Sequence, residues 1–177
     1  KGSYFTIETD EYIITLKMNI EEMIIMKIAV IAANGQAGRL IAKEAVERGN
    51  EVTAVVRGEN KTIAQNVIKK DIMDLTSEDL KGFDAVVSAF GAWTAETLPL
   101  YRITSEHILE ILNGTDTRVL FIGGAGSLYL DETLTTQLID TPEFPEEYKA
   151  VASAAKETLA AIRKNKNKNW TYVSPAA

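Results

Sequence analysis

Residues 26–38 read MKIAVIAANGQAG and carry the strongest structural signal in the chain. The first six residues are an apolar run with the length and composition of a buried β-strand. A short turn with two glycines follows, and residues 37–48 then repeat apolar side chains at helical spacing. The residues expected on one face of that helix are Leu40, Ile41, Ala45 and Val46. A strand, a glycine turn and an amphipathic helix in this order are typical of the unit that binds a dinucleotide.

The same alternation continues along the chain. Further strands are predicted at residues 51–57, 67–68, 83–89, 118–122 and 170–173, and further helices at residues 98–112 and 145–163. Such a sequence predicts an α/β fold, a three-layer Rossmann-type doubly wound parallel sheet with helices on both faces. The expected strand order is 3-2-1-4-5-6, with the first strand of the unit in the middle.

Residues 1–25 do not belong to this alternation. Two apolar stretches, residues 4–7 and 12–16, flank the acidic residues 8–11, and this pattern predicts a β-hairpin. We therefore divide the chain into an N-terminal extension, residues 1–25, and an NAD(P)-binding domain, residues 26–177. Met26 resembles a natural start, so a cloning artefact is the alternative. A lone hairpin is marginal in water, and we expect it to pack on the domain or to exchange between two copies in a homodimer.

Composition excludes several classes of protein. The chain has 177 residues, 46% of them hydrophobic, no cysteine, one histidine (His107) and a net charge of −6. These values are typical of one globular domain without disulfides, and we expect no metal site. The net charge argues against direct binding to nucleic acid, and we interpret the basic residues 163–168 as a solvated helix end. No apolar run reaches the ~18 residues that a membrane span needs, so we expect a cytoplasmic protein without a membrane segment.

The turn matches a variant of the dinucleotide fingerprint, G-x-x-G-x-x-G. The residues expected to hold the pyrophosphate are Ala32, Asn34, Gly35, Gln36, Ala37 and Gly38. Gly35 lets the backbone approach the pyrophosphate, and Gly38 lets the helix pack closely on the strand. Ala32 stands where the first glycine is expected. The alternative is a tight strand–helix turn that binds no ligand.

Arg57 closes the second predicted strand of the unit. Enzymes that use NAD usually have an acid there to bind the ribose 2′-hydroxyl, whereas arginine suits the 2′-phosphate of NADP. The position therefore favours NADPH over NADH, although Glu59 weakens the inference. A plain surface arginine at a strand end is the alternative.

Five segments together resemble a known family. They are MKIAVIAANGQAG, RGNEVTAVVR, KKDIMDL, RVLFIGGAGSLYLD and WTYVSPAA, within residues 26–177. The sequence is similar to the NADH–flavin reductases of the NmrA-like, atypical short-chain dehydrogenase/reductase group. Chains of that group usually continue past SPAA with a segment that closes the substrate pocket, so we expect the C-terminal substrate part to be missing here.

The resemblance implies further site residues. It places Asp71 near the adenine and Ser88, Ala89, Phe90 and Gly91 along the ribose side of the cofactor. It places Gly123, Gly124 and Ser127 near the nicotinamide, and we predict that Ser127 contacts the nicotinamide or the acceptor. Trp93 is predicted in the core, with stacking at the cofactor mouth as the alternative.

Two observations indicate the type of reaction: the family resemblance and the absence of a Tyr-x-x-x-Lys motif at Tyr148. Common short-chain dehydrogenases use a Tyr-x-x-x-Lys pair to move a proton, but Ala152 follows Tyr148 at that spacing. We therefore expect an NAD(P)H-dependent reductase that passes hydride directly to FMN, another flavin or a similar flat small-molecule acceptor. The alternative is an NmrA-like redox sensor that binds the dinucleotide without turnover.

Overall fold

The computed structural model describes residues 3–8, 13–18 and 25–175. Its strands are β1 (Ser3–Glu8), β2 (Ile13–Met18), β3 (Lys27–Ile31), β4 (Glu51–Val56), β5 (Asn66–Lys69), β6 (Ala85–Ser88), β7 (Arg118–Ile122) and β8 (Trp170–Val173). Its α-helices are α1 (Gln36–Glu47), α2 (Leu100–Ile111) and α3 (Glu146–Lys164). None of these helices has the length and hydropathy needed to cross a membrane.

Six strands form one parallel sheet in the order β5-β4-β3-β6-β7-β8. Counted from β3, this is the order 3-2-1-4-5-6, so the predicted Rossmann-type fold is confirmed. Strand β3 lies in the middle because its apolar residues can be buried from both faces. Ile31 lies opposite Val55 on one side and Ser88 on the other. The central strands therefore end at the same edge of the sheet.

Helices cover the two faces of the sheet in different ways. Ala29 and Ile31 of β3 belong to the core shared with α2 and α3, whereas Val30 belongs to the core shared with α1. This alternation follows from the two-residue period of a strand. The buried residues of α1 are small, namely Gly38, Ala42 and Ala45.

The apolar face predicted for α1 was partly wrong. Leu40 is 64% exposed, although Ala45 is buried as predicted. Because α1 approaches the sheet through small residues spaced four and three apart, its larger side chains are left at the flanks of the contact.

Strands β1 and β2 pair with each other in an antiparallel two-stranded sheet. Ser3 lies opposite Met18, and Glu8 lies opposite Ile13. The predicted turn was residues 8–11; Glu8 ends β1, and residues 9–12 and 19–24 lie outside the described residues. The packing of this hairpin on the domain and the division of the chain at residue 26 stay predictions.

The basic segment at the end of α3 is only partly solvated. Lys168 Nζ donates a hydrogen bond to the carbonyl oxygen of Arg163 at 2.7 Å, as expected for a cation at a helix end. Asn167, however, is only 7% exposed, and its Nδ2 donates to the carbonyl oxygens of Leu109 and Leu112 at 3.4 and 3.3 Å. This side chain therefore pairs with carbonyl groups at the end of α2, where a helix no longer supplies N–H donors for its last carbonyl groups.

We expect Asn167→Ala to lower the free energy of unfolding by about 1–3 kcal/mol, because among the described residues it leaves the Leu109 carbonyl group without a partner, whereas the Leu112 carbonyl keeps its bonds from Thr115. Chemical denaturation measures this loss. Asn113→Ala is the matched control, since Asn113 is exposed just beyond the same helix, and its effect should stay within about 0.5 kcal/mol. Equal losses in the two variants would contradict the role of Asn167.

Candidate functional site

The residues expected to bind the cofactor follow the carboxyl ends of neighbouring parallel strands. The turn of residues 32–38 follows β3, Arg57 follows β4, Ser88 ends β6, and Gly123 follows β7. Asp71 lies two residues beyond β5. In an open α/β sheet, ligands bind at this edge, next to the point where the strand order reverses. Here the reversal lies between β3 and β6.

The turn after β3 keeps its shape without its first glycine. Ala32 adopts φ 57°, which lies in the left-handed region that favours glycine. The N–H of Gly35 donates to the Ala32 carbonyl oxygen at 3.0 Å and closes the turn. The alanine therefore costs roughly 1–2 kcal/mol of backbone strain in this conformation.

Helix α1 begins with unused hydrogen-bond donors. Gly35 is its N-cap, no side chain caps it, and its first turn has no acidic residue. Among the described residues, no protein acceptor bonds the backbone N–H groups of Gln36, Ala37 and Gly38. Free N–H groups at the positive end of a helix dipole fit a phosphate, so this turn has the donors that a pyrophosphate requires.

The two glycines of the turn have different roles. A Cβ on Gly38 would lie 2.5 Å from the Ala32 carbonyl oxygen and 2.8 Å from Ala33 Cα, so the packing of α1 excludes a side chain. A Cβ on Gly35 would meet only the Ala32 oxygen, at 3.3 Å. The protein therefore tolerates a methyl group at Gly35 far better than at Gly38.

Asn34 does not present its amide to the cofactor. Its Nδ2 donates to the carbonyl oxygen of Glu59 at 2.7 Å, and its Oδ1 accepts from the N–H of Lys61 at 2.8 Å. The side chain thus connects the turn of residues 32–38, which we call the phosphate turn, to the loop that follows β4. Sequence reasoning placed Asn34 in the site but missed this role, because the partner lies 25 residues further along the chain.

Arg57 and Asp71, both expected at the adenosine end of the site, lie close together. The Arg57 side chain is 83% exposed, and its Nη1 lies 3.9 Å from Asp71 Oδ2, a long and solvent-screened ion pair. Asp71 Oδ1 accepts from the N–H of Met73 and caps the 3₁₀-helix Ile72–Asp74. The carboxylate of Glu59 lies 3.3 Å from Lys69 Nζ. Glu59, the acid two residues after Arg57, is therefore paired with Lys69 and not with Arg57.

The segment after β6 lies next to the phosphate turn. Ser88 is buried, and the N–H of Ala89 donates to the Ile31 carbonyl oxygen at 3.1 Å. Phe90 packs edge-to-face on Tyr101, with ring centroids 5.8 Å apart. Gly91 is exposed.

Trp93 is 71% exposed, so its predicted place in the core was wrong. The neighbouring Ala92 is buried, so the backbone stays on the domain while the indole faces solvent. The exposed ring agrees with the alternative, stacking at the mouth of the site.

Tyr172 joins three elements at the carboxyl end of β7. Its ring occupies the space that a side chain on Gly123 would need. Its hydroxyl donates to the Ala155 carbonyl oxygen at 3.2 Å and accepts from the N–H of Gly124 at 3.4 Å. Burial raises the pKa of Tyr172 above its ordinary value, so the phenol stays protonated at neutral pH. The two-residue period of the strand WTYV predicts that Tyr172 and Trp170 share one face of the sheet. It does not predict the contact of Tyr172 with Gly123, which lies on another strand end.

Ser127 lies toward the other end of the sheet from Arg57. It lines a groove of about 260 Å³ along the edge strand β8. Leu128, Tyr129, Trp170, Tyr172 and Ser174 are among the other lining residues. The backbone oxygen of Ser127 accepts from Gln137 Nε2 at 3.1 Å. The structure thus separates Ser127 from the residues of the phosphate turn.

Helix α3 has no proton-transfer pair at the expected spacing. Tyr148 is half exposed, and Ala152 is buried where the lysine of a Tyr-x-x-x-Lys pair would stand. A Cβ on Gly126 would lie 2.9 Å from Ala152 Cβ, so this contact leaves no room for a longer side chain. The described residues also hold no group of three or more His, Asp or Glu side chains that could bind a metal ion.

Comparison with known proteins agrees with this geometry. A family model described as NAD(P)H-binding matches residues 32–177. The chain belongs to this NAD(P)H-binding family. YwnB, an uncharacterized protein of Bacillus subtilis (strain 168), is 48% identical over 155 residues, which are 86% of this chain and 72% of YwnB. The predicted family resemblance and the oxidoreductase class are confirmed at this level.

Two crystal structures are similar to this NAD(P)H-binding protein. One, from Streptococcus pneumoniae TIGR4, is named "a putative NADH-flavin reductase"; it is 60% identical, with a TM-score of 0.83 over 85% of this chain and 72% of that one. A Lactobacillus casei protein is 32% identical, with a TM-score of 0.73 over 85% of this chain and 74% of that one.

In this NAD(P)H-binding protein, we expect Gly38→Ala to lower the free energy of unfolding by about 1–3 kcal/mol, because α1 must move away from β3.

Gly35→Ala should keep its melting temperature close to that of the unmodified protein but bind NADPH more weakly, since its methyl group covers the approach to the free N–H groups. Thermal unfolding and NADPH fluorescence titration measure the two effects. Normal NADPH affinity in folded Gly35→Ala would show that the turn is only structural.

Proposed function

We propose that the protein is an NAD(P)H-dependent reductase that passes hydride to FMN, another flavin or a similar flat small-molecule acceptor. The observation that carries the proposal is the combination at one sheet edge of a free phosphate turn and an exposed indole, without a Tyr-x-x-x-Lys pair. Reduced nicotinamide, when bound, supplies a hydride, and the acceptor takes its accompanying proton from water. Such a transfer requires mainly alignment and stacking from the protein.

The missing pair argues against reduction of simple ketones. That reaction needs an acid that gives a proton to the developing alkoxide, and Tyr148 has only Ala152 at the required spacing. A flavin spreads the incoming charge over its ring system and does not need a protein acid at one oxygen. The name of the Streptococcus pneumoniae relative, which is 60% identical, supports the same acceptor class.

We assign two residues to the acceptor side. Trp93 offers an exposed ring beside Gly91, where an aromatic acceptor can stack. Ser127, in the groove along β8, is our candidate for a polar contact with the acceptor or the nicotinamide. We propose that the reaction takes place in the cytoplasm, in line with a chain that contains no cysteine.

We further propose NADPH as the preferred cofactor. Arg57 is exposed at the end of β4, and its present partner, Asp71, lies at 3.9 Å. A 2′-phosphate carries more charge than that carboxylate and can accept two hydrogen bonds from one guanidinium. Since Lys69 lies next to the Glu59 carboxylate, Arg57 remains available for the phosphate.

The first test is turnover. We expect the purified protein to oxidise NADPH when FMN is added, which the fall in absorbance of NADPH measures. Binding of NADPH without consumption, tested with several flavins, would contradict the reductase and favour the redox sensor.

Trp93→Ala provides the matched variant for the turnover assay. Loss of about 1 kcal/mol of stacking should raise the KM for FMN roughly fivefold and leave the Kd for NADPH unchanged. Leu40→Ala is the control, since Leu40 is similarly exposed but lies in a groove beside Ile28 and Asn50. An unchanged KM in Trp93→Ala would remove the indole from the acceptor site.

The second test concerns cofactor choice. Arg57→Ala should weaken NADPH binding by about 1.5 kcal/mol, roughly tenfold in Kd, and leave NADH binding unchanged. Arg48→Ala is the control, because Arg48 is exposed on α1 and paired with Glu44. Equal affinities of the unmodified protein for NADPH and NADH would contradict the proposed role of Arg57.

A further inference from the structure

Among the described residues, one side chain bonds the backbone of the loop after β4 to the rest of the domain. This loop, residues 58–61, directly follows Arg57, just beyond the carboxyl end of β4. Among the described residues, its backbone forms hydrogen bonds with the rest of the domain at two points, the Glu59 carbonyl and the Lys61 N–H. Both points bond to Asn34. The path of the loop therefore depends on a residue of the phosphate turn.

The Asn34 amide is suited to this task by its chemistry. Its NH₂ group donates to the Glu59 oxygen at 2.7 Å while its oxygen accepts from Lys61 at 2.8 Å, so one planar group satisfies a carbonyl and an N–H together. No aliphatic side chain can form either bond, and a carboxylate can form only the one with Lys61. Both bonds are exposed to solvent, so their contribution comes from the paired geometry of one amide.

The Arg57 guanidinium has little else to fix its position. Its side chain is 83% exposed, and its ion pair with Asp71 is long. A flexible arginine must lose rotamer freedom when it meets a phosphate, and a loop without a fixed path adds its own ordering cost. A loop held in advance lowers that cost for a cofactor with a 2′-phosphate and does little for one without it.

We propose that Asn34 is a positioning residue that sets the preference for NADPH over NADH, by holding the loop after Arg57 against the phosphate turn. This inference rests on the proposed contact between Arg57 and the 2′-phosphate. Asn34 thus acts on cofactor choice from within the turn that binds the pyrophosphate common to both cofactors.

The test compares cofactor affinities of four proteins: unmodified, Asn34→Ala, Arg57→Ala and the double variant. Asn34→Ala should raise the Kd for NADPH by roughly five- to tenfold, from the lost pre-organisation, and change the Kd for NADH less than twofold. In the Arg57→Ala background, the same substitution should add almost nothing, because the group that it positions is gone. Asn66→Ala is the matched control, since Asn66 begins β5 and bonds to Glu51 instead of the turn.

Two outcomes would overturn the inference. An equal loss for both cofactors would mean that Asn34 acts on the pyrophosphate, and full additivity with Arg57→Ala would mean that the two residues act independently.

A measurement without cofactor separates this inference from the proposed function. Hydrogen exchange at the Lys61 amide of the free protein should become at least tenfold faster in Asn34→Ala and stay unchanged in Arg57→Ala. Unchanged exchange in Asn34→Ala would show that Asn34 does not hold the loop, whatever the cofactor. If exchange rises but Arg57→Ala leaves the ratio of NADPH to NADH affinity intact, the proposed 2′-phosphate contact fails instead.

Discussion

The close approach of α1 to β3 is the contact on which the candidate site depends. Gly38 lies directly against the backbone of Ala32 and Ala33, with no space for a Cβ. This contact directs the first turn of α1 toward the carboxyl edge of the sheet, with backbone N–H groups that have no acceptor among the described residues. The expected binding of a phosphate there therefore relies on packing and on the helix dipole.

The order of the strands then arranges the rest of the site along that edge. Strands β4 and β5 lie to one side of β3 and carry Arg57 and Asp71, the residues proposed for the adenosine end. Strands β6, β7 and β8 lie to the other side and carry Trp93, Gly123 and Tyr172. A dinucleotide laid along the edge would therefore place its adenosine and its nicotinamide over different strands. In the proposed reductase, cofactor choice and acceptor binding would therefore depend on different strands.

Small residues recur where elements of the acceptor side meet. Gly123 makes room for the ring of Tyr172, and Gly126 makes room for Ala152 of α3. These contacts bring the segment after β7 close to α3 and occupy the position that a catalytic lysine would need. The same packing that orders this segment thus leaves no room for the proton-transfer pair of the common short-chain dehydrogenases, in line with the proposed hydride transfer without a protein acid.

Local sequence was enough to determine the fold and the phosphate turn of this protein. Apolar strands, helical periodicity and glycine placement act over a few residues, so the strand order and the positions of Gly35 and Gly38 followed from short segments. Only the tertiary structure decided which side chains are free to act. Asn34 bonds to a loop 25 residues away, Leu40 and Trp93 are exposed although apolar, and Asn167 is buried within a basic segment. Each of these outcomes depends on contacts between segments distant in the chain, and periodicity within one segment contains no information about such contacts.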